Sequence, residues 1–489
     1  MTSIEQYIKD QGGILSGDLE KYLVQRDGIA SPTARKRIER LKSPVHKISG
    51  LFSESQSFIY HSDNYRKEAF YENFKNALSV AGKRHFAILI ALNFHQGLIK
   101  KEDLGNYTFS PVTKLKGHQS LSTIVGNLLK NNIISDYDQD HYQLNPYLID
   151  GLGADIKAYK AIEFSKDLVL NQFNVWSRNI GIGSFNKGKF NSEVGGFQFA
   201  YSAPSYITGF VQYKGGNPKP GFLVADVLIG NKVDLLQVDF FVQKINAIKA
   251  SNISLRLFPV LIVHGVELEA LNLLKKTGIV VGTIKEIFGE NYDELLRSLI
   301  NTIKNAGEIL RTKPEEYIQL MIGLTKLVDG QTNNLRGDLF ELAVGYYHGQ
   351  FCKFLEIGKK IKVESDFKEY DADVFAIYEN ELHIAECKGY NYPIDDRYII
   401  KYLNEKLPTF RNWVLASSYK EKALIFEIWR TGGFTAEAQQ LLEKVNTSKY
   451  RVEFYDKERI LKKAKELKSP KFTTILRDYY FKKDQSTPF

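Results

Sequence analysis

Asp371, Asp373, Glu386 and Lys388 stand in two short runs of strand-forming residues, Tyr370–Tyr378 and Leu382–Lys388. Between the runs, Glu379-Asn380 reads as a tight turn, because Asn tolerates a left-handed backbone. A turn of that length sets the register: residue 378 opposite 381, 373 opposite 386, and 371 opposite 388. Strand side chains alternate faces, so the four ionisable residues share one face of a hairpin. Three carboxylates beside an amine suit a divalent metal ion and an activated water. Asp371, opposite Lys388, is expected to pair with that amine and position it. The same alternation also marks any half-exposed strand. Ile384, Ala385 and the apolar stretches on either side argue instead for a covered central sheet, where unpaired charge is costly.

The elements that must carry this hairpin can be traced on either side of it. In 305–489 the pattern predicts a helix over Leu339–Tyr347, the hairpin, a strand at Trp413–Ser417, a helix over Thr435–Val445 and a strand at Arg451–Phe454. Residues 155–300 repeat that order. A helix over Phe164–Trp176 is followed by a Gly-, Asn- and Ser-rich stretch over 180–219. Strands are expected at Gly221–Ile229 and Val233–Phe240 around Gly230-Asn231-Lys232, then at Leu257–Val263. A helix over Glu267–Lys276 and a strand at Gly278–Gly282 complete the unit. In this copy Asp226 is followed by Gln237-Val238-Asp239, so an aspartate takes the place of the lysine. That reads as a degenerate copy that binds DNA, dimerises or braces the nuclease domain, with a weak residual metal site at Asp226 and Asp239 as the lesser alternative.

The C-terminal region resembles the PD-(D/E)xK, or restriction-endonuclease-like, nuclease superfamily. The matching residues are Glu341 in Arg336-Gly337-Asp338-Leu339-Phe340-Glu341, Asp373 followed by apolar Val374-Phe375, and Glu386-Cys387-Lys388. Ala372 stands where the family usually has Pro. The resemblance implies a catalytic set of Glu341, Asp373, Glu386 and Lys388, with Mg2+ or Mn2+ as cofactor. Asp373, Glu386 and the backbone carbonyl of Cys387 would supply oxygen ligands, as a hard ion requires. Glu341 would bind a second ion or a metal-bound water. Lys388 would orient the attacking water and stabilise charge in the transition state.

Residues 1–62 look like a small winged helix-turn-helix. A helix near Gly17–Leu23 is followed by Ser31-Pro32 as an N-cap and first-turn proline. The next helix, Thr33–Leu41, buries Ala34, Ile38 and Leu41. Its remaining surface carries Arg35, Lys36, Arg37 and Arg40, the residue types that the phosphates of a major groove attract. Residues 63–150 resemble a second, weaker winged helix, with helices at His85–Phe94 and Leu121–Lys130. The fold class expected is therefore multidomain α/β with α+β winged-helix modules, a degenerate nuclease-like domain over 155–300, and a restriction-endonuclease-like core over 305–489.

Composition fits that reading. The chain has 489 residues and a net charge of +9, too long for one core and suited to a polyanionic partner. The tail is basic too, from Arg459 to Lys483. Two cysteines, Cys352 and Cys387, make neither a metal-finger spacing nor a disulfide framework. The start lacks a signal-peptide pattern and no apolar run spans a bilayer, so a cytoplasmic location is expected, with no membrane partner. Nine histidines show no ligand spacing, and no Walker A run, dinucleotide fingerprint or nucleophile elbow appears. The expected function is a Mg2+-dependent endodeoxyribonuclease, similar to restriction and antiphage defence nucleases. DNA is its substrate, a homo-oligomer is expected for cutting both strands, and defence-system proteins are candidate partners. The competing expectations are a DNA-binding regulator or scaffold with inert nuclease folds, and an RNA-directed nuclease.

Overall fold

Ser3 opens the first helix by accepting the N–H of Gln6 on its hydroxyl, the cap that an extended Ser provides. From there the computed structural model describes residues 3–150, 154–214, 216–251, 255–327, 333–362, 369–445 and 448–481. The chain divides into two compact units, Met1–Asp293 and Glu294–Phe489.

The first unit begins with α1 (Ile4–Gln11), β1 (Ile14–Leu15), α2 (Ser16–Asp27), α3 (Ser31–Glu39), β2 (Val45–Ser49) and β3 (Ser57–His61). The strands form an antiparallel sheet in the order β1-β3-β2. Leu19 and Leu23, then Ala34 and Ile38, lie one helical turn apart and close a small core with Ile8, Val45 and Ile59. Ser31 does not cap α3. Ala30 holds that position, and the Ser31 hydroxyl reaches across to Glu20 on α2. A bond between helices has displaced the local cap.

The pattern recurs with α4 (Glu68–Ala81), α5 (Lys83–Phe94), β4 (Leu98–Lys100), α6 (Leu121–Lys130), β5 (Ile134–Asp136) and β6 (His141–Leu144), paired in the order β4-β6-β5. Its core runs on into the next sheet: Phe74, Leu92, Leu128, Phe199 and Phe241 belong to one buried cluster. The next elements are α7 (Ile156–Asn179), β7 (Lys189–Val194), β8 (Phe197–Ser205), the small hairpin β9 (Gln212–Lys214) and β10 (Asn217–Lys219), and β11 (Gly221–Val233). They lead into α8 (Leu235–Ser251), β12 (Leu257–Val266), α9 (Leu268–Lys276), β13 (Val280–Thr283) and α10 (Ile284–Phe288). The five-stranded sheet runs β13-β12-β11-β8-β7. Its β7, β8 and β11 are antiparallel, and β11, β12 and β13 are parallel.

Here the structure corrects the sequence reading. Gly230-Asn231-Lys232 is no turn but part of β11, and residues 235–240 are helical. Asp234 explains the switch: its carboxylate accepts the N–H groups of Leu236 and Gln237 and starts α8. Val238, Phe241, Val242, Ile245 and Ile248 then bury one helical face.

Two histidines are buried beside this core, where burial disfavours their charged form. His95 is 1% exposed, and neither ring nitrogen has a hydrogen-bond partner among the described residues. Burial lowers it to about 4, against the opposing pull of Glu163. Burial does the same to His85, also to about 4. An unfolded histidine titrates near 6.5, so between there and about 4 the unfolded chain binds more protons than the folded one. Stability must therefore fall as pH falls through that window. At about pH 5 the loss is expected to be roughly 1–2 kcal/mol per histidine. Urea unfolding followed by hydrogen exchange in α5 would register it, and His95→Phe is expected to flatten the dependence.

α11 (Glu290–Lys304) crosses the boundary between the units. The second unit continues with α12 (Ala306–Thr312), α13 (Pro314–Leu327), α14 (Asn333–Gly349), β14 (Phe354–Lys362), β15 (Glu369–Ile377) and β16 (Glu381–Lys388). Then come α15 (Asp396–Lys401), α16 (Leu407–Leu415), β17 (Ala423–Arg430), α17 (Ala436–Glu443), β18 (Arg451–Tyr455), α18 (Lys457–Glu466) and α19 (Pro470–Ile475). The sheet order is β14-β15-β16-β17-β18. Its first three strands are antiparallel and its last three parallel, the same order and directions as the five-stranded sheet of the first unit. One face packs Phe375, Leu382, Ile384, Phe426 and Ile428 against Tyr402, Phe410, Val414 and Leu442. Helix α14 packs on the strands as well. The strand expected at Trp413–Ser417 is instead the end of α16, where Phe410 and Val414 share a buried helical face, and the strand itself is β17. Among the described residues no helix is long and apolar enough to cross a membrane.

Candidate active site

The pairs between β15 and β16 run from Ile377–Leu382 to Val374–Ala385, and the Tyr378 N–H donates to the Glu381 carbonyl at 2.9 Å. This is the register that the two-residue turn sets. Beyond Val374–Ala385 the backbone ladder stops. Asp373 takes over, its Oδ2 accepting the Cys387 N–H at 2.7 Å. Where the strands open, Lys388 folds back. Its Nζ lies 3.2 Å from Asp373 Oδ2, 3.0 Å from Glu386 Oε1 and 3.1 Å from the Cys387 carbonyl. Asp371 does not join them. It is exposed and paired along the backbone with Lys360 of β14, because β15 has already parted from β16 at that level. The expected Asp371–Lys388 pair is replaced by contacts from Lys388 to Asp373 and Glu386.

Glu386 is held from the opposite side. Tyr398, on α15, donates to its Oε1 at 2.6 Å, and Lys406 reaches Oε1 at 3.0 Å and Oε2 at 2.9 Å. Lys406 ends a π-helical turn, Tyr402–Lys406, between α15 and α16, a local widening often found at functional sites. Sequence spacing did not reveal Lys406, nor this role for Tyr398. Both reach Glu386 through the crossover connection, whose path no motif spacing encodes.

Burial would raise the Glu386 carboxyl, but Lys388 and then Lys406 outweigh it and hold it down at about 2. Burial, and next the charge of Glu386, push Asp373 up. For Lys388 burial opposes the charged form, yet Asp373 and Glu386 hold its amine well above the ordinary range. The half-buried Glu341, on α14, acts electrostatically on Lys388 and on Cys387. Gly389 allows that helix to come close: a Cβ there would lie 2.6 Å from the Arg336 carbonyl and 3.0 Å from Phe340 Cβ. The side chain of Asp338 lies outside the described residues.

The ammonium of Lys388 is thus a cation resting on the Asp373 carboxylate, the Glu386 carboxylate and the Cys387 carbonyl. Those are the three oxygen donors that the resemblance would give to a metal. They are hard donors, converge on one point and already hold positive charge, so they fit a small divalent ion.

The matching sheet of the first unit has a different content at the same place. Its ladder between β8 and β11 also stops at one pair, Tyr201–Ala225, and the next residues are Ala200 and Asp226. Position for position, Ala200 replaces Asp373, Asp226 replaces Glu386 and Leu228 replaces Lys388. Asp226 does have an amine partner, but it comes from Lys244 on α8 at 2.8 Å rather than from the strand. Both side chains are fully buried, and Lys244 also donates to the carbonyls of Asn106 and Gln198. Asp239, the other half of the expected weak site, lies on α8 and accepts from Gln243. This place is closed by a neutralised internal pair.

No protein-family model, curated protein or solved structure matches this chain.

The basic residues of the N-terminal segment are less uniform than their spacing suggests. Arg35, Lys36, Arg37 and Arg40 are all exposed. Arg35 pairs with Glu20 at 2.8 Å and Arg37 with Asp27 at 2.9 Å, a carboxylate it shares with Arg26, so α2 engages two of the four. Lys36, on α3, and Arg40, at its C-cap, have no carboxylate partner among the described residues.

Proposed function

We propose that this chain is a metal-dependent DNA endonuclease of the PD-(D/E)xK type. The observation that carries the reading is the seat of Lys388, an amine lodged between two carboxylates and a carbonyl where the β15–β16 ladder opens. In this reading Asp373, Glu386 and the Cys387 carbonyl hold Mg2+ or Mn2+, with Glu341 at the edge of the site. A bound divalent ion supplies charge neutralisation for the phosphodiester and a lower pKa for water. Lys388 orients the attacking water and donates to the oxygen on which negative charge grows. Lys406 and Tyr398 fix both oxygens of Glu386, and Asp373 is fixed by the Cys387 N–H. The five-stranded sheet of the first unit is read as a degenerate copy, because its equivalent place has lost one acid and the strand lysine.

The two N-terminal segments are read as winged helices, supported by their helix order and by the pairing of the first strand with the third. α3 is then the DNA-facing helix, with Lys36 and Arg40 its available phosphate contacts. Each phosphate neutralised contributes about 0.9 to the slope of log affinity against log salt. Lys36→Ala combined with Arg40→Ala is expected to reduce that slope by roughly 2, measured by fluorescence anisotropy across a salt series. An unchanged slope would remove α3 from the interface.

One competent site per chain implies a homo-oligomer for cutting both strands, and a role in restriction or antiphage defence follows from the type of enzyme proposed. The test of substrate class is to incubate matched DNA and RNA with the protein in magnesium and in chelator. Magnesium-dependent cutting of DNA alone is the expected outcome. Cutting of RNA alone would make it an RNA-directed nuclease, and DNA binding without cutting of either would make it an inert regulator or scaffold.

A further inference from the structure

On the opposite face of β16 from Glu386 and Lys388 lies a second cluster. His348 at the end of α14, His383 on β16 and Glu427 on β17 bring one ligand atom each within 4.8 Å of the others. His348 Nε2 is 3.0 Å from Glu427 Oε2, and His383 Nδ1 is 2.6 Å from Glu427 Oε1. His348 and Glu427 are buried, at 1% and 2% exposure, while His383 is half-buried.

The outer atoms decide what such a cluster can hold. His348 Nδ1 lies 3.0 Å from the Tyr378 hydroxyl, and His383 Nε2 lies 3.2 Å from Glu381 Oε2. A metal-ligating imidazole carries its proton on the nitrogen that faces away from the ion, and that N–H is met by an acceptor. Both histidines have that acceptor in place, a phenol oxygen for one and a carboxylate for the other. Glu427 is oriented as well, since Trp429 Nε1 donates to its Oε2 at 2.6 Å. Glu381 is in turn anchored by Arg451 at 2.7 Å. Without a metal, His383 stands between two carboxylates and needs both protons to satisfy them. A divalent ion in place of the inner proton of His383 would leave that ring neutral with its proton on Nε2; His348 would bind as the tautomer with its proton on Nδ1, toward Tyr378, and the ion would balance the charge of Glu427.

The geometry points to a transition-metal site, with His348 Nε2, His383 Nδ1 and a Glu427 oxygen as ligands and Zn2+ as the ion this donor set suits best. Two imidazoles and one carboxylate leave a fourth tetrahedral position for solvent. The site ties α14, which carries Glu341, to β16, which carries Glu386, and to β17. Its nitrogen ligands separate it from the all-oxygen donor set around Lys388, which suits magnesium.

The experiment is titration of chelator-stripped full-length protein with Co2+, followed by the visible absorption of the tetrahedral ion. One equivalent is expected to develop the band, and one equivalent of Zn2+ to bleach it. His383→Gln is expected to abolish it, Tyr378→Phe to weaken Co2+ binding about 10–100-fold, and Asp373→Asn to leave it unchanged. Circular dichroism of each variant separates lost binding from lost folding. Should His348→Gln or His383→Gln unfold the protein, the Tyr378→Phe affinity decides. No tetrahedral band in the wild type, or one that survives His383→Gln, or unchanged affinity in a folded Tyr378→Phe, would leave a proton-bridged network and overturn the site.

Discussion

Lys388→Ala is expected to lower magnesium-dependent DNA cleavage by about 10²–10³-fold, the usual cost of losing one donor to a transition state. DNA affinity and its salt dependence are expected to stay at wild-type values, because the proposed phosphate contacts of α3 belong to the other unit. Three oxygens fix Lys388 Nζ at 3.0–3.2 Å, at the open end of the β15–β16 ladder. Those oxygens are also the proposed metal ligands, so a bound ion takes the seat and Lys388 turns from it to the water and the phosphate beside it. Single-turnover cleavage measured beside anisotropy binding separates the two effects. A folded Lys388→Ala protein that cuts at the wild-type rate would show that the amine only neutralises its neighbours.

Glu386→Gln is expected to destabilise the second unit by about 3–5 kcal/mol, the cost of removing one partner from a buried ion pair, and to abolish cleavage. Glu386 is 1% exposed and serves two lysines and a tyrosine at once. The amide keeps the shape but leaves Lys388 and Lys406 without its negative charge. The sign of the pH dependence follows from the direction of the shift. Glu386 is depressed to about 2 from an ordinary 4.5, mainly by Lys388 and Lys406 acting against burial. Its contribution is therefore fully present above the ordinary value and is lost as pH falls through about 2. A shift of that size corresponds to roughly 3 kcal/mol, in line with the first figure. Urea unfolding in chelator, at neutral pH and in acid, measures both. Glu386→Gln combined with Lys406→Met is expected to recover part of the loss, since one stranded cation is gone.

What could be read from residues alone follows the range of the interactions. The hairpin was legible, because a two-residue turn and strict alternation leave one register, and that register places Asp373, Glu386 and Lys388 on one face. Its open end was not legible. Asp371 was expected beside Lys388, but the Asp373 carboxylate takes the Cys387 N–H and ends the ladder first. The strand–helix switch at Asp234 was missed because the valines and phenylalanines of α8 favour strands locally, while their burial follows helical spacing. Trp413 and Val414 misled for the same reason. Lys406 and Tyr398 at Glu386, Lys244 at Asp226, and the meeting of His348, His383 and Glu427 all depend on contacts between elements distant in the chain. Only the completed sheets bring those residues together.

Asp373, Glu386 and Lys388 are proposed to form one site for phosphodiester hydrolysis. Conversion of supercoiled plasmid DNA by full-length protein in millimolar magnesium, beside Asp373→Asn purified in the same way, tests that proposal. Nicked or linear product is expected from the wild type, none in chelator, and none from a folded Asp373→Asn protein. Equal cutting by the two proteins, or cutting that survives removal of every divalent ion, would contradict it.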